Sequence, residues 1–339
     1  MKRHAYMIAV HKHPEQIRIL LQLLDTEQND LYIHIDRKSR DIEPEMLRDC
    51  VQRGRIFFVD RIAVGWAAFS IVESTLILLK SAVKNGPYAY YHLLSGQDLP
   101  LKPIEEINRF YDTNDPSWNY LELIDTEDAW RKAYLRMNTR RFHRHSHETG
   151  VIRKIHAVER RICSWFWRDK RYLRAGAGWF DINHSLAEEV LAHEAWIRKS
   201  FSYASFPDEA FLQTLVMKLG LKDTCHDLMR CIDWSRKQGS PDVFHDSDFE
   251  RLIRSGKNFA RKFDIQEDPQ IICRIKEYIE RQKKRDRITC LFSSVCCAPA
   301  AVRNSFYSAL ANSLISFSLA SDLFSSPWEV MMPASSMPV

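Results

Sequence analysis

The chain of 339 residues is poor in glycine, with 10 in all, and contains neither G-x-G-x-x-G nor G-x-x-x-x-G-K-[ST]. A glycine-rich loop that cradles a phosphate in backbone N–H groups is therefore excluded. Its eight cysteines (50, 163, 225, 231, 273, 290, 296 and 297) are scattered without a C-x-x-C pair, so no zinc-type spacing stands out. Met1-Lys2-Arg3-His4 leads into an apolar run at 5–10 that is too short for a signal core or a membrane span. The cysteines are accordingly read as reduced thiols with a structural role, and the expected compartment is the cytoplasm. Ser95-Gly96 lacks the Gly-x that would precede it in a nucleophile elbow, which argues against a serine hydrolase.

What remains is an ordinary soluble composition, 45% hydrophobic and 27% charged, with length enough for one large domain or two modest ones. The net charge of +5 is unevenly spread. Between Arg131 and Arg174 stand 14 Lys/Arg residues against Glu148, Glu159 and Asp169. A solvated helical face explains such a block. A surface for an acidic glycan, a phosphate-rich ligand or an anionic membrane explains it too, and the interleaved Trp165, Phe166 and Trp167 favour an interface. No nucleic-acid partner is expected.

Strand-like and helix-like segments alternate through the first 125 residues. Apolar runs at 6–10, 31–36, 55–59 and 88–94 read as strands, and 15–24 and 69–83 have helical spacing. That alternation predicts a three-layer α/β fold with a mostly parallel sheet. Ligands in such sheets bind beyond the carboxyl ends of the strands, which gathers His11, Asp36, Asp60 and 95–98 at one crevice. Further on, 125–175 reads as helical, 180–182 as a short strand, and Ser185 as a cap with Glu188 at capping-box spacing. Residues 229–234 look like a last core strand, and 248–255 and 269–281 like closing helices. From Leu291 the chain turns Ser/Ala-rich, with Arg303, Asp322 and Glu329 its only charges. The expected division is a catalytic domain at 1–285 and a poorly ordered extension at 286–339.

Ser205-Phe206-Pro207-Asp208-Glu209-Ala210-Phe211 sets two carboxylates behind a proline at a helix start. They serve there as good first-turn residues, and one of them would equally serve as a base. Asp246-Ser247-Asp248 is the only Asp-x-Asp and reads as a helix cap rather than a metal site. His143, His145 and His147 have no carboxylate or cysteine at ligand spacing.

Several stretches recur in a fixed order: His34-Ile35-Asp36-Arg37-Lys38-Ser39, Val64-Gly65-Trp66-Ala67-Ala68-Phe69-Ser70, Tyr91 to Lys102, Gly176 to Ile182, Phe206-Pro207-Asp208-Glu209, Ile232-Asp233-Trp234 and Phe259 to Asp264. The series, over roughly 4–280, resembles the core-2/I-branching β-1,6-N-acetylglucosaminyltransferase family, which also contains the peptide O-xylosyltransferases, in a bacterial-type form. The resemblance implies a GT-A-like fold with a Rossmann-like nucleotide-binding half. It also implies an inverting, metal-independent glycosyltransferase carrying a sugar, N-acetylglucosamine first and xylose as the alternative, from UDP to a glycan hydroxyl. Glu209 matches the catalytic base. Asp36 matches the contact to uridine, and Lys262 the cation on the diphosphate, with Trp66 and Arg261 also on the donor side. Glu122 and Trp234 match acceptor-binding residues, joined by Asp98 and Arg136.

The pattern departs from the family at 239–245, where a second diphosphate arginine is missing; Arg261, Arg251 or Arg254 stands in for it. A family tyrosine near the uridine site is replaced around Val64-Gly65, and Arg236 stands where an aromatic is expected. The acceptor is expected to be a glycan or lipid-linked oligosaccharide, with the basic segment touching the inner face of a membrane. The other readings are a non-catalytic binder of acidic glycans or membranes, and metal-dependent transfer through Asp246 and Asp248.

Overall fold

The computed structural model describes residues 2–137, 170–236 and 240–296. Much of the basic segment, with His143, His145, His147 and Trp165 to Trp167, lies outside the described residues, as does 297–339. The chain separates into units 1–280 and 281–339, and the fold below is that of the first.

Ten strands form two sheets among the described residues. They are β1 (His4–Val10), β2 (Asn29–Ile35), β3 (Arg55–Phe58), β4 (Tyr90–Ser95), β5 (Leu99–Pro100), β6 (Asn119–Leu121), β7 (Phe180–Asn183), β8 (Cys225–His226), β9 (Arg230–Ile232) and β10 (Phe259–Arg261). The helices are α1 (Pro14–Leu24), α2 (Glu45–Arg48), α3 (Ser70–Asn85), α4 (Ile104–Thr113), α5 (Glu127–Met137), α6 (His184–Ala192), α7 (Glu194–Phe201), α8 (Phe211–Leu219), α9 (Phe249–Ile253) and α10 (Pro269–Cys296).

The central sheet runs β3-β2-β1-β4-β7-β6-β8. The pairs β1–β2, β1–β4, β2–β3 and β6–β8 are parallel, and β7 is antiparallel to both neighbours. Successive side chains of a strand point to opposite faces, and the two apolar cores follow that alternation. Tyr6, Ile8 and Val10 join Leu31, Ile33 and Ile35 with α1 and α4 on one face. Ala5 and Met7 join Tyr32, Tyr91 and Leu93 with α3, α6 and α8 on the other. The expected three-layer α/β fold with a mostly parallel sheet is what forms.

Three local expectations are corrected. The cap of α6 is Asn183, whose side chain accepts from Leu186 N at 2.9 Å, while Ser185 lies inside the helix. The strand expected at 229–234 forms at 230–232, shorter than expected, and β9 pairs with β10 in a second sheet, β5-β10-β9. Asp246-Ser247-Asp248 is a 3₁₀ turn capped by His245, whose N–H donates to Asp248 Oδ2 at 2.9 Å. Asp246 accepts from Arg274 at 3.1 Å and Asp248 from Arg251 at 2.8 Å, so both carboxylates are committed to local contacts.

A buried polar chain joins the two sheets. Arg230 on β9 reaches Asp98 at 3.3 Å and Asp181 on β7 at 3.9 Å, all three fully buried. Asp98 also faces Arg261 on β10 at 3.5 Å and accepts from Ser95 N at 2.6 Å. On the other side, Asp181 accepts from Tyr111 at 2.8 Å and pairs with His92 at 3.0 Å. Burial pushes the His92 imidazole down to about 4 despite Asp181 beside it. A neutral His92 therefore donates from Nδ1 to Asp181 and accepts at Nε2 from His4, 3.0 Å away.

The strip before β7 is pinned by a close approach. Gly176 N donates to Glu209 O at 3.0 Å, and a Cβ on Gly176 would stand 1.9 Å from the backbone oxygen of Glu122. Only glycine fits.

Two outcomes follow. Arg230→Met removes the guanidinium shared by two buried carboxylates and is expected to cost about 3–5 kcal/mol, read as a lowered urea midpoint. Gly176→Ala is expected to cost about 1–3 kcal/mol through forced displacement of the Glu122 backbone; an unaltered midpoint would contradict the close approach.

Candidate active site

The crevice lies at the carboxyl ends of β1, β2 and β4. Asp36 follows β2 directly, and its N–H donates to Val10 O at 2.9 Å. Its Oδ1 accepts from Lys38 N at 2.9 Å and Val64 N at 3.3 Å, and Lys38 Nζ stands 3.4 Å from Oδ2. The carboxylate is thus fixed between two loops at the strand end. Trp66, 63% exposed, meets Phe206 edge-on with ring centroids 5.0 Å apart.

Residues 261–264 are stitched to the loop after β4. Phe263 N donates to Gln97 O at 2.9 Å, and Gln16 Nε2 bridges Gly96 O at 3.0 Å and Phe263 O at 3.1 Å. Asp264 takes Lys12 at 2.5 Å and His13 at 3.2 Å. Lys262 lies half-buried in this strip, its carbonyl accepting from Phe244 N at 2.9 Å. Arg261 is buried beside it, 3.4 Å from Ser95 Oγ and 3.9 Å from the centroid of the Trp179 ring. Burial works against the charge of Arg261, and Asp98 sustains it. Arg251 is instead paired with Asp233 and Asp248, and Arg254 with Glu250.

The turn that carries Glu209 starts with Phe206 in the left-handed region at φ 54°, its N–H donating to the carbonyl of Ala67, itself at φ 56°. Two non-glycine residues held there cost on the order of 1–3 kcal/mol each and need the surrounding contacts to persist. The turn is a 3₁₀ segment, Pro207–Glu209, and the α-helix begins at Phe211, later than the proline alone suggests. Pro207 is buried, and Glu209 Oε2 forms an ion pair with Arg136. Burial raises the Glu209 carboxyl above its ordinary value, while Arg136 opposes the rise. The Arg136 guanidinium also lies 4.7 Å from the Phe206 ring centroid.

Across the turn, Glu122 Oε2 accepts from Ala177 N at 2.7 Å, and Gln213 Nε2 donates to Ala177 O at 2.9 Å. Glu122, Ala177, Arg230, Ile232, Trp234 and Lys257 line a cavity of about 120 Å³, in which Trp234 is 48% exposed. Glu122 and Trp234 are therefore brought together, while Asp98 is enclosed behind them and spent on Arg230 and Arg261. A larger cavity of about 510 Å³ opens at the amino ends of β1 and β4, lined by Lys2, Tyr88 and Asn183 among others. None of the expected site residues lines it.

Arg230, Asp181 and Trp179 were not singled out by the sequence. The available signals were a lone arginine heading the apolar run 230–232 and a tryptophan closing Gly-Ala-Gly. No helix of the described residues is long and apolar enough to cross a membrane.

The model of the Core-2/I-Branching enzyme family matches residues 4–253. Xylosyltransferase 2 of Bos taurus is 25% identical over 82% of this chain and 33% of its own length. Xylosyltransferase 1 of Canis lupus familiaris is 22% identical over 82% and 30%, and a xylosyltransferase of Ciona intestinalis 23% over 80% and 33%. The chain thus spans about a third of the length of these curated relatives. Among solved structures, apo mouse xyloside xylosyltransferase 1 aligns with 77% of this chain and 97% of its own, at 14% identity and a TM-score of 0.38. With the family model spanning most of the polypeptide, the chain belongs to the Core-2/I-Branching enzyme family.

Proposed function

We propose that this chain moves a sugar from a UDP-sugar to a glycan hydroxyl with inversion, without an obligatory metal and with Glu209 as general base. The observation that carries the reading is the Glu209 carboxyl. It is partly sheltered, raised above its ordinary value and paired with Arg136. A base is most effective when its pKa lies near the working pH. The acceptor oxygen attacks the anomeric carbon as the bond to UDP breaks on the opposite face. The bonding electrons leave on the diphosphate oxygen, and the hydroxyl proton passes to Glu209.

Charge growing on the leaving diphosphate needs fixed positive partners. Lys262 supplies one at the surface of the strip, and Arg261 a second from beneath. Asp36 faces the uridine end beside Trp66. Glu122, Trp234 and Arg136 hold the acceptor, with the exposed Trp234 ring as an apolar platform for a sugar face. The names of the curated relatives bring UDP-xylose forward as a donor to be tested beside UDP-N-acetylglucosamine.

Glu209→Gln is expected to lower kcat by at least about 100-fold while leaving UDP affinity intact, measured by coupled UDP release and calorimetry. Because the base must be ionised, wild-type activity should fall on acidification through a pKa above that of an ordinary glutamate. Full turnover by the Gln variant would remove Glu209 from the chemistry. Lys262→Ala should weaken UDP binding by at least about tenfold; equal affinity would place the diphosphate elsewhere.

A further inference from the structure

Beside Glu209 stands a second carboxyl that the transfer step leaves unused. Asp208 precedes it on the same 3₁₀ turn. Its Oδ1 is buried with no hydrogen-bond partner among the described residues, and its Oδ2 lies so close to Gly178 that a Cβ there would stand 3.0 Å away. Gly178 precedes Trp179, the ring that carries Arg261. The side chain is therefore wedged between the turn of the base and the arginine of the donor side.

Three charged groups act on Asp208: Glu209 on its own turn, Arg136 from α5 and Arg261 from β10. Burial and Glu209 push the Asp208 carboxyl up to about 7 against the pull of its own backbone N–H and of the two arginines. A carboxylate with a buried, unpartnered oxygen is costly, and a carboxylic acid much less so. The Glu209 carboxylate on the same sheltered turn resists ionisation of Asp208.

We propose that Asp208 is a positioning residue that sets the charge presented to the donor. As an acid it leaves the positive charge of Arg261 to the diphosphate; as a carboxylate it competes for that charge and adds a second negative charge to the base turn. The proposal rests on the reading of Arg261 and Lys262 as partners of the diphosphate, and not on Glu209 as base.

The test is the affinity of wild type and Asp208→Asn for UDP-xylose and UDP-N-acetylglucosamine, measured by calorimetry from about pH 5.5 to about 8.5. Neither donor has a phosphate that titrates in this range, so the pH dependence belongs to the protein. Wild type should lose at least about fivefold in affinity as the pH rises through about 7, and Asp208→Asn should be flat. Asp208→Ser, smaller and equally uncharged, should give the same flat profile. Identical pH dependence in wild type and variants would overturn the proposal. Failure of both donors to bind at any pH would instead overturn the donor-site reading, and the proposal with it.

Unfolding gives a second readout, with a definite sign. The folded acid keeps its proton up to about pH 7, whereas the unfolded carboxyl loses it near about 4. Unfolding therefore releases a proton between those values, and wild type must lose stability relative to Asp208→Asn as the pH rises across that window. Parallel stability curves would contradict the proposal. Turnover by Glu209→Gln reads the base assignment separately, so the two failures are distinguishable.

Discussion

The contact on which the site depends is the buried charge chain Asp181–Arg230–Asp98–Arg261. It is the electrostatic link between a central sheet that carries β7 and a three-stranded sheet that carries β9 and β10. Buried ion pairs are poor sources of net stability, because desolvation consumes most of the attraction. Their effect is geometric: with two carboxylates and two guanidiniums alternating, a shift of one sheet against the other would strand a charge. Arg230 opens β9 at the cavity of Glu122 and Trp234, and Arg261 sits next to Lys262. Under the proposed reading, one charge chain therefore sets the distance between the acceptor side and the donor side.

The Glu209 turn meets this charge chain from the other direction, with Asp208 facing Arg261. Gly176 fits under Glu122, and Gly178 against Asp208. Phe206 and Ala67 hold each other in the left-handed region through one hydrogen bond. Small residues and strained ones thus concentrate where three loops converge on Glu209, and the long elements α1, α3, β1 and β4 remain regular. Strain of this kind persists only where neighbouring contacts over-determine it, and here the arginine of α5 closes the turn from outside.

Legibility in the sequence follows the same division. Strands β1, β2 and β4 and helices α1 and α3 are readable because each carries its own periodic apolar face. The strands β9 and β10 are three residues long and carry Arg230 and Arg261. Their pairing depends on partners far away in the chain, and no local pattern encodes it. The antiparallel direction of β7 is hidden for a related reason: the segment before it lies outside the alternating half. Ser185 and Asn183 are both competent caps, and the choice fell to Asn183, which also donates to the carbonyls of Pro116 and Ser117. Asp36, Glu122, Glu209, Trp234 and Lys262, the candidates the resemblance offers, stand in motifs that can be read along the chain. The pairing of Glu209 with Arg136, 73 residues apart, and the enclosure of Asp98 cannot be read there, because both arise from tertiary packing.

The most direct measurement of the central claim is UDP release from UDP-xylose and UDP-N-acetylglucosamine with EDTA present throughout, using water and simple glycans as acceptors. The account predicts release from one of these donors that persists in EDTA and rises with an acceptor hydroxyl. Release that appears only when a divalent cation is restored would contradict metal-independent transfer by fixed cations. Absence of release from either donor under both conditions would contradict the transferase reading itself.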